Sequence, residues 1–318
     1  MQRNTSTITP APVAFVRTLL LVGLALVTLV LATGCAASPA KPQEEASAQS
    51  AASQPAATEP EATESNSGDA NTDTSTNTGP TTTQAGTDPR DEEFAVDPSR
   101  TDWNFEAPET KTVYLTFDDG PSENTQAVLD ILDRYGIKAT FFVTNINPDY
   151  APMIAECYAR GHTIGLHTYT HDYAQVYASA DAYWEDLGSI GELVREQIGY
   201  VPCFIRFPGG SSNTISANYT PGIMTQLSSD VVDAGYQYFD WDASCGDGAE
   251  HTADELVDAT IADTSYGYQS IVFLAHDGAG KQTTVEALPR IIEYFQEEGY
   301  QFAPIDRQTC VPHHGIGN

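Results

Sequence analysis

Two histidines and a pair of aspartates carry the clearest chemical signal in this sequence of 318 residues. His167 and His171 are four residues apart, so one helical turn or a tight loop can bring both imidazoles to a common ion. Asp118 and Asp119 stand side by side before a Gly-Pro dipeptide. Imidazole with carboxylate suits zinc, nickel, cobalt or similar divalent ions better than calcium or magnesium. Asp119, His167 and His171 are therefore predicted ligands of one divalent ion, with coordination positions left open for water and substrate.

The second carboxylate predicts a division of labour within the pair. While Asp119 binds the ion, Asp118 can take a proton from water as a general base. Both motifs also have ordinary structural explanations. Asp-Gly and Gly-Pro dipeptides favour turns, and two histidines four residues apart also occur on surfaces and in cores. The metal site is the stronger hypothesis because the two motifs together complete one ligand set.

An arginine and a glycine pair fit the same chemistry. Arg206 follows an apolar segment and is a permanent cation. It can orient Asp118 and favour its ionised form, or it can pair with any nearby acid of this acidic chain. Gly209 and Gly210 let the backbone approach a ligand closely. The Gly209 amide is accordingly predicted to donate to a developing oxyanion.

His276 ends a nearly all-apolar segment and is a candidate general acid. A lone histidine in such a place is more often a hydrogen-bonded structural residue than a catalyst. Asp240 is expected to change that, since a carboxylate bonded to an imidazole fixes its tautomer and favours its protonated form. Trp241 and Leu274 are expected to wall an apolar pocket, or simply to belong to the core.

Short apolar segments that alternate with amphipathic stretches predict the elements that hold these residues. The seven candidate strands span residues 112–117, 137–143, 162–166, 203–207, 236–241, 270–275 and 300–305. Helical spacing is clearest at positions 128, 131, 132 and 135, closed by Gly136. Capping boxes predict two further helices, at Thr252 with Glu255 and near Thr283 with Glu286.

Strands that alternate with helices in this way predict an α/β fold with about seven parallel strands. The expected arrangement is a distorted (β/α) barrel, closed or nearly closed. The candidate residues share one position in it, because each lies at or just beyond the C-terminal end of a strand. Barrel enzymes assemble their sites on that face, where the loops converge.

Composition and charge exclude several classes of function. The chain has 14 Lys plus Arg against 44 Asp plus Glu, a formal net charge of -30. No basic face is available to neutralise a phosphate backbone, so nucleic-acid binding is excluded and anionic lipid headgroups are disfavoured. No protein partner is inferred from the sequence.

The N-terminal third predicts export rather than a folded domain. Residues 18–32 are uncharged and apolar, follow Arg17, and form a stretch too short for a comfortable membrane span, which is typical of a signal-peptide core. Ala32-Thr-Gly-Cys35 resembles a bacterial lipobox, in which the cysteine is acylated and becomes N-terminal; an uncleaved anchor is the alternative. Residues 1–35 thus predict a lipoprotein signal peptide, and lipidation at Cys35 places the protein on the outer face of the bacterial cytoplasmic membrane.

The segments on either side of the catalytic region are expected to lack a core. Residues 36–110 are rich in Ser, Thr, Pro, Ala and acids and predict a disordered linker. Residues 111–306 are the predicted catalytic domain. Residues 307–318, with two adjacent histidines, predict a short mobile tail.

Five motifs, in this order along the chain, resemble those of the polysaccharide deacetylase family, carbohydrate esterase family four, whose catalytic region is the NodB homology domain. They are Thr116-Phe-Asp-Asp-Gly120, His167-Thr-Tyr-Thr-His171, Arg206-Phe-Pro-Gly209, Asp240-Trp241 and Leu274-Ala-His276. The resemblance covers roughly residues 111–305. It implies a distorted barrel with fewer than eight complete units.

The resemblance also implies a role for each matching residue. Asp119, His167 and His171 would hold a divalent metal, usually zinc. Asp118 would be the general base and His276 the general acid.

The other matching residues would support these five. Arg206 would tune the base and Asp240 the acid, and the Gly209 amide would help the metal to stabilise the oxyanion. Trp241 and Leu274 would shape the pocket for the acetyl methyl. The sequence departs from the family at Gly209, where many members have tyrosine, and this leaves sugar specificity open.

The implied reaction is hydrolytic N-deacetylation of a polysaccharide with release of acetate. For an exported lipoprotein the first expected substrate is peptidoglycan, at N-acetylglucosamine or N-acetylmuramic acid, although the acidic domain gains no long-range attraction to an anionic wall. Chitin oligomers, an exopolysaccharide and O-acetylated xylan remain alternatives. A non-catalytic carbohydrate-binding or metal-storing surface protein is the alternative from another class. Its signature would be a missing ligand, base or acid, and none is missing.

Four cysteines remain beyond Cys35, at positions 157, 203, 245 and 310. In an exported domain they allow one or two disulfides in three possible pairings, among which the sequence does not choose.

Overall fold

The computed structural model describes residues 88–318. The predicted signal peptide, the lipidation site at Cys35 and the first part of the predicted linker lie outside these residues. No helix in residues 88–318 combines the length and the apolar character needed to cross a membrane.

Eight strands in the described residues form one sheet in which every pairing is parallel. They are β1 (Thr112–Asp118), β2 (Thr140–Val143), β3 (Thr163–Leu166), β4 (Phe204–Ile205), β5 (Gln237–Tyr238), β6 (Ala243–Ser244), β7 (Ser270–His276) and β8 (Gln301–Phe302). The order is β5-β4-β3-β2-β1-β7-β6, and β8 pairs with β1. Because β5 and β6 are the two ends of this order, the sheet is an open, curled part of a barrel. The predicted α/β class with about seven parallel strands is confirmed.

All seven predicted strands are present, several of them shorter than expected, and the strand that was missed is β6. It is two residues long, Ala243–Ser244, and follows β5 closely. A segment of that length has no periodicity for a sequence pattern to reveal.

The strand β1 pairs with β2, β7 and β8 and sets the positions of two candidate catalytic residues. All seven of its residues are buried. It pairs with β7 along its whole length, from Thr112 opposite Ser270 to Asp118 opposite His276. Neighbouring strands lie about 4.8 Å apart. The pairing therefore brings the expected base and the expected acid to the same edge of the sheet.

Eight helices of the described residues complete the fold. They are α1 (Pro89–Glu93), α2 (Thr125–Tyr135), α3 (Met153–Ala159), α4 (Tyr173–Val176), α5 (Ala180–Ile198), α6 (Ile223–Asp233), α7 (Ala253–Thr264) and α8 (Gln282–Glu297). The predicted end of α2 is confirmed, because Gly136 follows it in the left-handed conformation with φ 68°. The capping box of α7 at Thr252 is also present. Apolar faces of these helices pack on the sheet to form the main core.

The predicted capping box at Thr283 is wrong, although the helix begins close to it. The N-cap of α8 is Lys281, which makes no side-chain capping bond, and Thr283 already lies inside the helix. The neighbouring hydroxyl of Thr284 instead donates to Asp247 at 2.7 Å. The start of α8 thus holds a buried carboxylate.

The predicted disordered linker is wrong for residues 88–110, which pack on the catalytic domain. Phe94 is buried and contacts Phe204 edge-on, with ring centroids 5.1 Å apart. Ala95 forms an antiparallel bridge with Pro202. The polar composition of the whole linker hid the signal of this short apolar segment. The segment has enough apolar surface to bury against β4 and the residues that precede it.

The C-terminal segment, residues 307–318, is also ordered rather than mobile. Arg307 is buried, stacks over the Trp103 ring at 3.9 Å and pairs with Asp102 at 2.6 Å. His314 accepts or donates hydrogen bonds at both ring nitrogens, and the Asn318 side chain donates to Ser216. The two adjacent histidines, His313 and His314, both have hydrogen-bond partners on the domain.

The disulfides that the cysteine count allowed are absent from the described residues. Cys157, Cys203, Cys245 and Cys310 are all free thiols. The first three are buried in α3, just before β4 and just after β6, among apolar side chains of the two core clusters.

Substituting Phe94 by alanine should destabilise the domain, because the change removes an aromatic side chain that is only 6% exposed. The expected loss is about 3 kcal/mol in the free energy of unfolding, measured by urea denaturation of the domain. Phe105→Ala is the matched control, since Phe105 is 60% exposed and its loss should change little. Equal stabilities of the Phe94→Ala protein and the wild type would show that this segment does not belong to the folded unit.

Candidate active site

Two loops at the C-terminal edge of the sheet bring together the three predicted metal ligands. Asp119 follows β1, while His167 and His171 follow β3. Asp119 Oδ1 lies 3.6 Å from His167 Nε2 and 3.3 Å from His171 Nε2. One donor atom from each of the three lies within 4.8 Å of the others. This compact set of two imidazoles and a carboxylate can surround a single ion.

The donor atoms fit a divalent metal ion in both hydrogen bonding and charge. Asp119 Oδ1 is buried without a hydrogen-bond partner in the described residues. His167 Nδ1 bonds the Arg206 carbonyl at 2.6 Å, so its Nε2 is the nitrogen that remains to ligate. Burial raises the pKa of Asp119, but the charges of His171, His276 and His167 outweigh burial and lower it to about 2. The carboxylate is therefore ionised and lacks a donor, as a metal ligand requires.

Two of the three ligands adopt a left-handed backbone. Asp119 has φ 69° and His171 has φ 52°, and they are the non-glycine residues with positive φ in the described part of the chain. Such a conformation costs of the order of 1 kcal/mol for each residue and persists only where its surroundings determine it. Both loops are therefore specified by contacts outside the ligands themselves.

Asp186 provides such contacts for the loop that contains both histidines, residues 167–172, which we call the histidine loop. The sequence did not single out this aspartate. This buried carboxylate on α5 accepts from the Tyr169 amide at 2.5 Å, and from the amide and hydroxyl of Thr170 at 3.2 and 2.7 Å. An acid on the buried face of an otherwise amphipathic helix is the sequence signal that could have revealed it.

Arg206 holds Asp118, as the sequence predicted. Its side chain is fully buried and its Nη1 donates to Asp118 Oδ1 at 2.8 Å. The remaining donors go to the Thr116 hydroxyl at 2.7 Å and to the carbonyls of Phe239 and Asp240 at 2.9 and 3.0 Å. The guanidinium thus has partners on β1 and on the loop after β5. Asp118 receives a fixed orientation and an adjacent positive charge.

The acid that accompanies His276 is Asp247, so the prediction of Asp240 is wrong. Asp247 Oδ1 lies 2.7 Å from His276 Nδ1, and its Oδ2 accepts from the His276 amide at 2.8 Å. Burial lowers the pKa of His276, but the charge and hydrogen bond of Asp247 outweigh burial and raise it to about 9. The imidazole can therefore be protonated at neutral pH, as a general acid needs.

Asp240 has a structural role instead. It accepts from the amide and hydroxyl of Ser211 at 2.8 and 2.5 Å, and from the His314 amide at 2.7 Å. The reason is topological, since β5 lies at the far end of the sheet from β7, whereas β6 is the neighbour of β7. Asp247 follows β6, the two-residue strand that the sequence pattern did not show.

A cavity of about 430 Å³ unites the candidate residues. Its lining includes the three metal ligands together with Asp118, His276, Gly209, Trp241 and Leu274. Trp241 packs edge-on against the His314 ring, with centroids 4.8 Å apart. The structure therefore brings together every residue that the sequence predicted for the site except Asp240, and adds Asp247.

A candidate acid, a candidate base and three candidate ligands around one cavity are typical of one class of protein, the metal-assisted hydrolases. The family profile described as Polysaccharide deacetylase matches residues 106–221. A peptidoglycan-N-acetylglucosamine deacetylase of Bacillus cereus is 30% identical over 235 residues, which cover 72% of this chain and 80% of that protein. A chitin deacetylase of Arthroderma benhamiae is 32% identical over 186 residues, which cover 56% of this chain and 46% of that protein.

A solved structure agrees with these relatives. The crystal structure of the catalytic domain of a peptidoglycan N-acetylglucosamine deacetylase from Eubacterium rectale is 43% identical, with a TM-score of 0.65. The match covers 70% of this chain and 100% of that domain. This chain belongs to the polysaccharide deacetylase family, carbohydrate esterase family four, whose members are metal-dependent hydrolases of N-acetyl groups on polysaccharides.

Replacing Asp247 by asparagine should move the alkaline limb of the pH–activity profile to lower pH. The neutral amide removes the charge that raises the pKa of His276, so the imidazole loses its proton at lower pH. The expected shift is about one pH unit or more, measured as kcat/KM between pH 6 and pH 10. Asp240→Asn is the matched control and should leave that limb in place. The assignment would be wrong if Asp240→Asn moved the limb and Asp247→Asn did not.

Proposed function

We propose that this protein is a zinc-dependent deacetylase of bacterial peptidoglycan that removes the N-acetyl group of N-acetylglucosamine or N-acetylmuramic acid. The observation that carries the proposal is the pairing of β1 with β7. It places Asp118 and His276 opposite each other, beside the three predicted ligands and in the same cavity. A base and an acid on either side of a ligand triad is the arrangement that amide hydrolysis requires.

The residues of the chain divide the proton transfers between them. Asp119, His167 and His171 would hold the zinc ion, which would supply Lewis-acid activation of water and of the acetamide carbonyl. Asp118 Oδ1 is engaged by Arg206, so Oδ2 is the oxygen that takes the proton from water. His276 Nδ1 is engaged by Asp247, so Nε2 carries the proton that is delivered to the leaving amine.

The cavity wall orients the acetyl group in this proposal. The Gly209 amide donates to the oxyanion, and Trp241 and Leu274 form an apolar surface for the acetyl methyl. All three residues line the cavity with Asp118 and His276. Excluding water from the methyl side leaves the carbonyl carbon as the exposed point of attack.

The substrate is proposed from the relatives and from the predicted location of the chain. Two proteins described above are named as peptidoglycan N-acetylglucosamine deacetylases, one of them 43% identical. Zinc is proposed because two imidazoles and one carboxylate, with open positions, suit it best among common divalent ions. Chitin is the second candidate substrate, favoured by the similarity to a chitin deacetylase.

Acetate release from a panel of polymers tests this proposal. Protein stripped with a chelator and reloaded with zinc should release acetate from peptidoglycan faster than from chitin oligomers or acetylated xylan. Asp118→Asn should retain its zinc and lose about 10²- to 10⁴-fold in kcat, because the proton acceptor is gone. Exclusive release from xylan would make the protein an esterase, and full activity of Asp118→Asn would remove the assigned base.

We extend the proposal to the N-terminus, where Cys35 is the lipidated residue and holds the protein on the outer face of the cytoplasmic membrane. The support is the apolar segment and the small residues before this cysteine. The full chain expressed in a Gram-positive host should incorporate labelled palmitate and sediment with membranes. Cys35→Ala should incorporate none, and an unlabelled wild-type chain would overturn the assignment.

A further inference from the structure

The glycine pair after Pro208 separates two aromatic side chains in the cavity wall. A Cβ on Gly209 would lie 2.6 Å from the Tyr173 hydroxyl, and a Cβ on Gly210 would lie 3.0 Å from the Trp241 ring. Both glycines have positive φ, 75° and 76°. The space that a side chain at Gly209 would take is thus filled by Tyr173, which directly follows the histidine loop.

The ring of Tyr173 is fixed on both sides. Tyr173 is the first residue of α4, whose N-cap Asp172 accepts from the Ala174 amide at 2.9 Å. Its ring packs edge-on against His171, with centroids 5.8 Å apart, and against Tyr177 at 5.5 Å. Tyr177 in turn donates to the Pro208 carbonyl at 2.8 Å. These contacts tie Tyr173 to the loop that contains Gly209.

The hydroxyl of Tyr173 is the part of this side chain that has no assigned partner. Tyr173 lines the cavity beside Gly209, and its backbone carbonyl accepts from the Tyr177 amide, but no hydrogen bond within residues 88–318 involves its hydroxyl oxygen. A tyrosine hydroxyl is both a donor and an acceptor, and one in a substrate cavity is available to a polar ligand. The fixed ring and the free hydroxyl together form a positioned hydrogen-bonding group.

We propose that Tyr173 is a substrate-contact residue whose hydroxyl hydrogen-bonds the sugar unit that carries the acetyl group. In the proposed function Trp241, next to Gly210, contacts the acetyl methyl. Tyr173, next to Gly209, is then placed to contact the other part of the substrate, the hydroxyl-bearing ring. The inference rests on the proposed deacetylase function and adds a determinant of sugar recognition to it. Tyr173 acts in binding rather than in proton transfer.

Tyr173→Phe tests this inference, because it keeps the ring that packs on His171 and removes only the hydroxyl. With an N-acetylglucosamine tetramer, kcat/KM should fall about 5- to 10-fold, mainly through a higher KM. With a small aryl acetate, which has an acetyl group and no sugar, kcat/KM should stay at the wild-type value. Tyr266→Phe is the control, since Tyr266 is 76% exposed and does not line the cavity.

A binding measurement separates this inference from the proposed function. Calorimetry with chelator-stripped protein gives the Kd of the tetramer without hydrolysis, and Tyr173→Phe should weaken it by a similar factor. An unchanged Kd together with an unchanged KM would overturn the inference. Equal losses on the tetramer and the aryl acetate, with lower metal content, would also overturn it and make Tyr173 a support for His171. A wild type that binds the tetramer but releases no acetate from any polymer would instead contradict the proposed function.

Discussion

The fully buried guanidinium of Arg206 is the group on which the geometry of the site depends. Its side chain holds the Asp118 carboxylate, and its backbone carbonyl holds Nδ1 of His167. One residue therefore orients the proposed base, Asp118, and a proposed metal ligand, His167. A buried charge is tolerated only when its donors are satisfied, and here each branch of the fork has an acceptor. Because these acceptors lie on β1 and after β5, the sheet must be assembled before the site exists.

The electrostatics of the cavity explain why a dication fits it. Asp118, Asp119 and Asp247 line it, and the buried carboxylate of Asp277 directly follows His276 in the chain. Burial raises the pKa of Asp277 to about 7, and the charges of Asp119 and Asp118 add to this effect against the hydrogen bond from Thr125. So many carboxylates in a region of low dielectric repel one another. A divalent ion would offset that repulsion.

The sequence could predict the sheet and most of the site for one physical reason: parallel strands end at the same edge, so polar residues after apolar segments must meet. It could not assign the partner of His276. Asp240 and Asp247 both follow strands, and the choice between them depends on β6, which is too short to leave a pattern. The composition of residues 36–110 likewise did not reveal that Phe94 is buried, and the composition of residues 307–318 did not reveal that this segment is ordered. Short ordered segments owe their structure to contacts with distant residues, which a local pattern does not contain.

Two of the proposed ligands have a strained backbone that contacts of the folded chain hold in place. Asp119 and His171 turn back toward the cavity with left-handed φ values, at a cost that isolated loops would not sustain. Asp186 fixes the histidine loop through three hydrogen bonds, and Thr144 donates its amide to the Gly120 carbonyl at 2.7 Å beside Asp119. Contacts of the folded chain therefore offset the strain. The proposed ligands are held in place by the sheet and by α5, so a metal ion would meet donors that are already positioned.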